Sequence, residues 1–155
     1  MACEIELARG TGVTVVDDDV YEWASLRSWH LIPHRFTGYA RMFDGRRSVY
    51  LHCAILGRRG IDHINGDGLD NRRSNLRPAT HQENMRNMRK RPGCSSRFKG
   101  VYFDPRGSSA WRAEICVDGR KICLGGHPDE VTAAAAYNLA AAALFGDFAK
   151  LNELT

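Results

Sequence analysis

The sequence predicts an α+β protein built of two modules, residues 1–94 and 95–155. Three observations predict it. The first fifty residues carry short β-prone runs, the middle third reads strand, loop, strand, helix, and the last third reads three short strands and one alanine-rich helix. A chain of 155 residues with 43% hydrophobic content holds enough apolar material for packed cores.

In the first fifty residues Val13-Thr14-Val15-Val16 ends in Asp17-Asp18-Asp19, and the runs 39–43 and 48–51 flank the turn Asp44-Gly45-Arg46-Arg47. A small sheet or hairpin is expected there, with Tyr21, Trp23 and Trp29 in its core. Arg58 to His63 ends in Ile-Asp-His, which suits a short strand, and Asn65-Gly66-Asp67-Gly68 is a turn because Asn, Asp and Gly tolerate positive φ. Leu76 to Thr80 can return as a second strand. Thr80 and Glu83 stand at capping-box spacing, so a helix is expected from His81 to about Arg91, where Pro92-Gly93 stops it.

Beyond the linker ending at Cys94-Ser95-Ser96, strands are expected over 97–104, 109–117 and 121–125, with turns at Pro105-Arg106-Gly107 and Asp118-Gly119. Pro128 to Phe145 reads as one helix, rich in Ala at 133–136 and 140–143 and closed by Gly146. Small alanine side chains let a helix lie close on a sheet.

The usable chemistry lies between Asp62 and Asn84. Cutting a phosphodiester requires a base that activates water, oxygen ligands that hold a divalent cation against the phosphate, and a scaffold that fixes both. Asp62, His63 and Asn84 can supply the first two. In a hairpin packed on a helix, Asp62 at a strand end can face the first helical turn, where Asn84 sits, so that a carboxylate and an amide oxygen converge on one hard cation. Mg²⁺ retains several waters and takes only one or two carboxylates, so two protein ligands suffice. An ordinary histidine titrates near ~6.5, which leaves His63 largely neutral at physiological pH. A calcium loop fails, because Ile64 and Leu69 break the alternation of oxygen ligands and no Glu closes it. A zinc site fails as well: the five cysteines, Cys3, Cys53, Cys94, Cys116 and Cys123, form no Cys-x-x-Cys pair, and their odd number argues for reduced thiols.

Asp62-His63, Asn65-Gly66, Asp70-Asn71, Asn75-Leu76-Arg77, Thr80 and Asn84 together resemble the HNH homing-type endonucleases with a ββα-metal site, over roughly Leu51 to Asn87. The resemblance implies that Asp62 and Asn84 bind a divalent metal, Mg²⁺ with Mn²⁺ as the alternative, that His63 is the general base, and that Asn75 holds the loop that positions it. His52 matches a histidine that often precedes the motif, although the family's usual following Arg is Cys53 here, and it is assigned a supporting role. Val16-Asp17-Asp18 with Tyr21, then Trp29 and Gly38-Tyr39-Ala40, resembles the leader of phage-type members.

The net charge of +4 is unevenly spread. Residues 1–50 hold 6 Lys+Arg against 7 Asp+Glu, residues 51–100 hold 11 against 4, and residues 101–155 hold 5 against 7. The middle third carries the positive field, and its run Arg86, Arg89, Lys90, Arg91, Arg97, Lys99 suits a polyanion track, a solvated linker being the plainer reading. Arg89, Lys90 and Arg91 are the expected phosphate contacts. No apolar run approaches ~18 residues and no basic-then-apolar leader opens the chain, so the expectation is an intracellular, cytoplasmic protein (host cytoplasm if phage-encoded) with no membrane segment and no obligate protein partner.

Phe98-Lys99-Gly100-Val101, Trp111-Arg112-Ala113-Glu114-Ile115, Leu124-Gly125, the Ala133–Tyr137 run and Gly146–Asn152 resemble an AP2/ERF-type DNA-binding domain across nearly its full length. That family lays a three-stranded sheet in the major groove of double-stranded DNA. The resemblance implies groove-facing roles for Lys99, Tyr102, Glu114 and Lys121, with Arg106 and Arg112 near phosphates. Tyr102, Cys116 and Cys123 stand where plant members commonly carry Arg or Trp, so no sequence preference is inherited. Trp111 is expected to pack under the helix.

The combined expectation is a metal-dependent DNA endonuclease targeted by its C-terminal module. A non-catalytic DNA-binding regulator using the same sheet is the rival, opposed by the intact Asp62, His63, Asn84 set, and an RNA-directed nuclease is a second rival.

Overall fold

β1 (Ala2–Glu6) and β2 (Val13–Asp17) pair antiparallel, and α1 (Asp18–Ala24) follows β2 without a loop. The three consecutive aspartates therefore open a helix rather than close a strand. Asp18 and Asp19 in the first turn oppose the positive end of the helix dipole. β3 (His30–Pro33), β4 (Gly38–Phe43) and β5 (Ser48–Tyr50) form a second antiparallel sheet in the order β3-β4-β5, and α2 (Leu51–Leu56) ends at Gly57 with φ 64°. β6 (Ile61–His63) and β7 (Leu76–Pro78) make a two-stranded ribbon, followed by α3 (His81–Asn87).

In this computed structural model residues 1–106 and 110–155 are described, and they divide into two compact units, Met1–Met85 and Arg86–Thr155. The second unit begins earlier than the expected 95. The reason lies in residues 86–90, whose bonds run to the later chain: Lys99 Nζ donates to the carbonyls of Arg86 and Met88, Lys90 Nζ donates to Val101 O at 3.0 Å, and the Arg86 guanidinium lies 4.7 Å from the Phe145 ring centroid. The same lysine contacts at the helix end explain why α3 stops at Asn87 and not near Arg91.

The core of the first unit gathers Ile5, Leu7, Val16, Val20, Ala24, Trp29, Ala40 and Leu51. Trp29 is fully buried and its indole N–H donates to Ala24 O at 2.9 Å, so the ring's polar atom is not left unpaired. Tyr21 is not core: it is 41% exposed, because α1 buries Val20 and Ala24, one turn apart, and Tyr21 falls off that stripe.

In the second unit β8 (Val101–Phe103), β9 (Trp111–Val117) and β10 (Arg120–His127) form an antiparallel sheet in the order β10-β9-β8, covered by α4 (Glu130–Phe145). The β9–β10 turn places Asp118 at φ 51° and Gly119 at φ 78°, the two positive values of a type I′ hairpin. Asp129 caps α4, its carboxylate accepting from Thr132 N at 2.8 Å. Ala133, Ala134, Tyr137, Ala141 and Phe145 line the buried side of α4, against Val101, Ala113 and Ile115 of the sheet. The helix and the turn after it, Glu130–Phe148, are long and apolar enough by composition to cross a membrane, unlike the expectation, but that buried stripe is the signature of a core helix. Trp111 is half-buried beside the first of these clusters. Gly107 and Ser109, at the expected turn and strand start, lie outside the described residues.

Candidate active site

β6 delivers Asp62 and His63 side by side, 4% and 5% exposed. Asp62 stands opposite Arg77 on β7, and its Oδ2 accepts from Arg77 Nε at 2.8 Å and Nη2 at 2.6 Å. A carboxylate buried without such a partner is costly, and the Arg77 side chain is itself largely buried at 14% exposure.

The loop from Ile64 to Asn75 is held by its own side chains. Asn75 Oδ1 accepts from Asn65 N at 3.0 Å, while Asn75 Nδ2 donates to Asn65 Oδ1 at 3.0 Å and to Asp70 O at 2.7 Å. Asn65 Nδ2 donates to Asp70 Oδ2 at 2.9 Å, and the Arg72 guanidinium forks onto both Asp70 oxygens at 2.7 and 2.6 Å. That arginine holds the Asp70 carboxyl below the usual range. Gly66 takes φ 74° and donates to His63 O at 2.8 Å. At Gly68 any Cβ would lie 2.3 Å from Gly38 O and 2.5 Å from the Tyr39 ring, so only glycine fits.

The His63 ring sits in a cluster of aromatic rings. Its centroid is 5.0 Å from His52 and 5.8 Å from Tyr39, and His52 stacks on Tyr50 at 5.5 Å. His63 Nε2 is 3.2 Å from Asn71 Oδ1. Burial pushes the His63 pKa below its ordinary value, against the opposing pull of Asn71 and nearby aspartates. Burial, with the neighbouring His63, pushes His52 down to about 4, and its Nδ1 is buried with no hydrogen bond among the described residues.

Asp62, His63 and Asn75 are thus all buried, Asp62 held by Arg77, His63 by Asn71 and packed on His52, and Asn75 by the loop it braces. Asn84 lies one turn into α3, exposed, after a capping box in which Thr80 N donates to Glu83 Oε2 at 2.8 Å and Glu83 N to Thr80 Oγ1 at 3.2 Å. Sequence reasoning missed Asn71, Arg77 and Thr14 as working residues. Asn71 and Arg77 stood inside quoted motifs, and strand pairing of the ribbon could have set Arg77 against Asp62; nothing in the sequence marked Thr14.

In the second unit the expected contact residues divide. Tyr102 and Arg112 are cross-strand partners, Glu114 and Lys121 join in an ion pair at 2.8 Å, and all four share the sheet face away from α4. Arg106 is 89% exposed beside Asp104, and Arg91 is exposed. Lys99 departs from expectation. Its ammonium is turned inward onto the Arg86 and Met88 carbonyls, and burial lowers its pKa to about 8, so it does not face a groove. Lys90 is half-buried and gives one of its three ammonium protons to Val101 O.

A family model described as HNH endonuclease matches residues 60–86, the span that contains the ribbon, the asparagine-held loop and the opening of α3. A protein of Acanthamoeba polyphaga mimivirus, named as an uncharacterized HNH endonuclease, is 32% identical over 157 aligned positions that cover 96% of this chain and 79% of the relative. The chain belongs to the HNH endonuclease family. It is a nuclease, and the likeness to its viral relative runs through both compact units rather than the ribbon alone. No solved structure matches this HNH endonuclease.

Proposed function

We propose that this HNH endonuclease is a divalent-metal-dependent enzyme that cuts double-stranded DNA, with His63 as general base and Asp62 and Asn84 as metal ligands. The observation that carries the reading is the buried Asp62-His63 pair, whose imidazole burial keeps neutral and therefore able to accept a proton. The donor set fits Mg²⁺, with Mn²⁺ as the alternative: a carboxylate and an amide are hard oxygen donors. Among the described residues no group of three or more His, Cys, Asp or Glu is placed to hold a metal, so a cation on Asp62 and Asn84 would need water and substrate oxygens to complete its shell. When bound, the cation supplies Lewis-acid polarisation of the phosphoryl group and neutralises the leaving 3′-oxygen. Arg77 fixes the Asp62 carboxylate, Asn75 fixes the loop, and His63 takes the proton of the attacking water on the ring nitrogen not turned to Asn71.

The C-terminal unit is proposed as an AP2/ERF-like targeting module that lays its open sheet face on DNA. Support comes from the three-stranded sheet on one helix and from Tyr102, Arg112, Glu114 and Lys121 sharing that face, with Arg106, Arg89 and Arg91 toward the backbone. Purified protein incubated with supercoiled plasmid tests the whole reading. Mg²⁺ should convert plasmid to nicked or linear forms, EDTA should stop conversion, and excess Mg²⁺ should restore it. Cleavage indifferent to EDTA overturns metal dependence, and cutting of matched RNA in preference to DNA overturns the substrate class.

A further inference from the structure

We propose that Thr14 and Asn71 form a hydrogen-bond relay that sets the tautomer of His63, so that Nδ1 is the proton-accepting atom; the catalytic consequence rests on the base role given to His63 above. The argument is one of donors and acceptors. Thr14 and Asn71 are both fully buried. The Thr14 hydroxyl has one proton, and it goes to Leu69 O at 2.7 Å, leaving only lone pairs for other partners. One end of the Asn71 amide meets that hydroxyl at 2.8 Å and Gly68 O at 3.3 Å. Both of those partners can only accept. The end that meets them must therefore be the NH₂, and the end 3.2 Å from His63 Nε2 must be the oxygen.

An amide oxygen only accepts, so Nε2 carries the imidazole hydrogen. A neutral ring has one N–H, and its lone pair falls on Nδ1. The same contact fixes the ring plane. Thr14 lies on β2, outside the matched motif span, yet the strand is tied to the catalytic loop by backbone as well: Val15 N donates to Leu69 O at 2.9 Å, and Asn71 N donates to Val15 O at 2.8 Å. Thr14 and Asn71 are positioning residues that act through His63.

The ring nitrogens of His63 can be read directly in the full chain by long-range ¹H–¹⁵N correlation spectroscopy at neutral pH, with no cleavage involved. The wild-type protein should give a single Nε2-protonated pattern with a protected Nε2 proton. Thr14→Val keeps the shape and removes the hydroxyl, so the Asn71 amide loses its anchor; the His63 pattern should broaden toward mixed tautomers, kcat should fall about 10- to 100-fold with KM unchanged, the scale expected when a histidine loses its orienting partner, and Thr14→Ser should restore both. Nδ1-protonated His63 in the wild type overturns the relay without any variant. So do wild-type nitrogen shifts and wild-type kcat in Thr14→Val. Full activity of His63→Ala overturns the base role instead, and the nitrogen spectrum separates that failure from failure of the relay.

Discussion

Replacing Asn75 with alanine tests whether the loop is held by a side chain or merely by its ends. The Asn75 side chain is 7% exposed and makes three hydrogen bonds, at 3.0, 3.0 and 2.7 Å, all of which alanine removes. A net value of ~1 kcal/mol per bond gives ~3 kcal/mol. Water can satisfy the freed amide of exposed Asn65, whereas the Asp70 carbonyl is buried and loses its Asn75 donor, so ~3 kcal/mol is the lower end of the cost. The loss is local. By the tenfold-per-1.4 kcal/mol relation, ~3 kcal/mol is a fall of roughly 10²-fold in hydrogen-exchange protection. It should appear at the amides of Ile64, bonded to Asn75 O, and Gly66, bonded to His63 O, while Glu114 N–H, bonded to Gly100 O in the other unit, keeps its protection. Plasmid cleavage should fall with it, because His63 borders the loosened loop. Unchanged exchange at Ile64 and Gly66, or an equal loss at Glu114, would refute the reasoning.

His63→Ala should lower the cleavage rate by ~10²- to 10⁴-fold with DNA binding intact, the usual contribution of a general base; a wild-type rate under matched conditions removes His63 from the mechanism. His52 is pushed from 6.5 to about 4 by burial, so the folded chain resists a proton that the unfolded chain takes up. Its contribution is fully present above 6.5 and is lost as pH falls toward about 4, by about 3 kcal/mol at ~1.4 kcal/mol per unit. Urea midpoints measured across that window should flatten in His52→Phe, and an identical pH slope in both proteins contradicts the assignment. Gly68→Ala forces a methyl to within 2.3 Å of Gly38 O, so its unfolding midpoint should drop well below wild type; near-wild-type stability would mean the loop relaxes freely there. Lys121→Gln should weaken binding on a preferred duplex by ~1 to 3 kcal/mol and leave a scrambled duplex unaffected, whereas equal weakening makes that lysine a phosphate contact.

Local signals carried most of the architecture. The capping box at Thr80 and Glu83, the Asp118-Gly119 hairpin turn and the alanine-rich α4 each depend on residues within a few positions of one another, and short-range patterns report short-range structure. The errors share the opposite cause. The end of α3 and the inward turn of Lys99 both follow from bonds that span 11 to 13 residues between Arg86 or Met88 and Lys99, where no periodicity points. Charge misled in the same way. The surplus of the middle third is partly spent inside the fold, on Arg77 with Asp62 and on the carbonyls taken by Lys99, and partly offset at the surface by Arg72 with Asp70, so a count of basic residues overstated what faces a polyanion.

The site itself was legible as a set of residue types and illegible as a network. Asp62, His63, Asn75 and Asn84 stand at recognisable intervals because each is tied to one strand or helix end. Thr14 is joined to Asn71 across 57 residues, and Arg73 to Asp19 across 54, by contacts that exist only once β2 lies along the catalytic loop. Three kinds of bond make that junction: a buried side-chain relay, paired backbone bonds at Val15, and the Arg73 guanidinium on the acidic start of α1, with Arg73 N on Asp17 at 2.8 Å. A strand tied this way cannot shift by one residue without turning Thr14 out of the core and breaking the hold on Asn71. On the proposed relay the leader is part of the catalytic apparatus, because the His63 ring would be oriented from a strand almost fifty residues upstream.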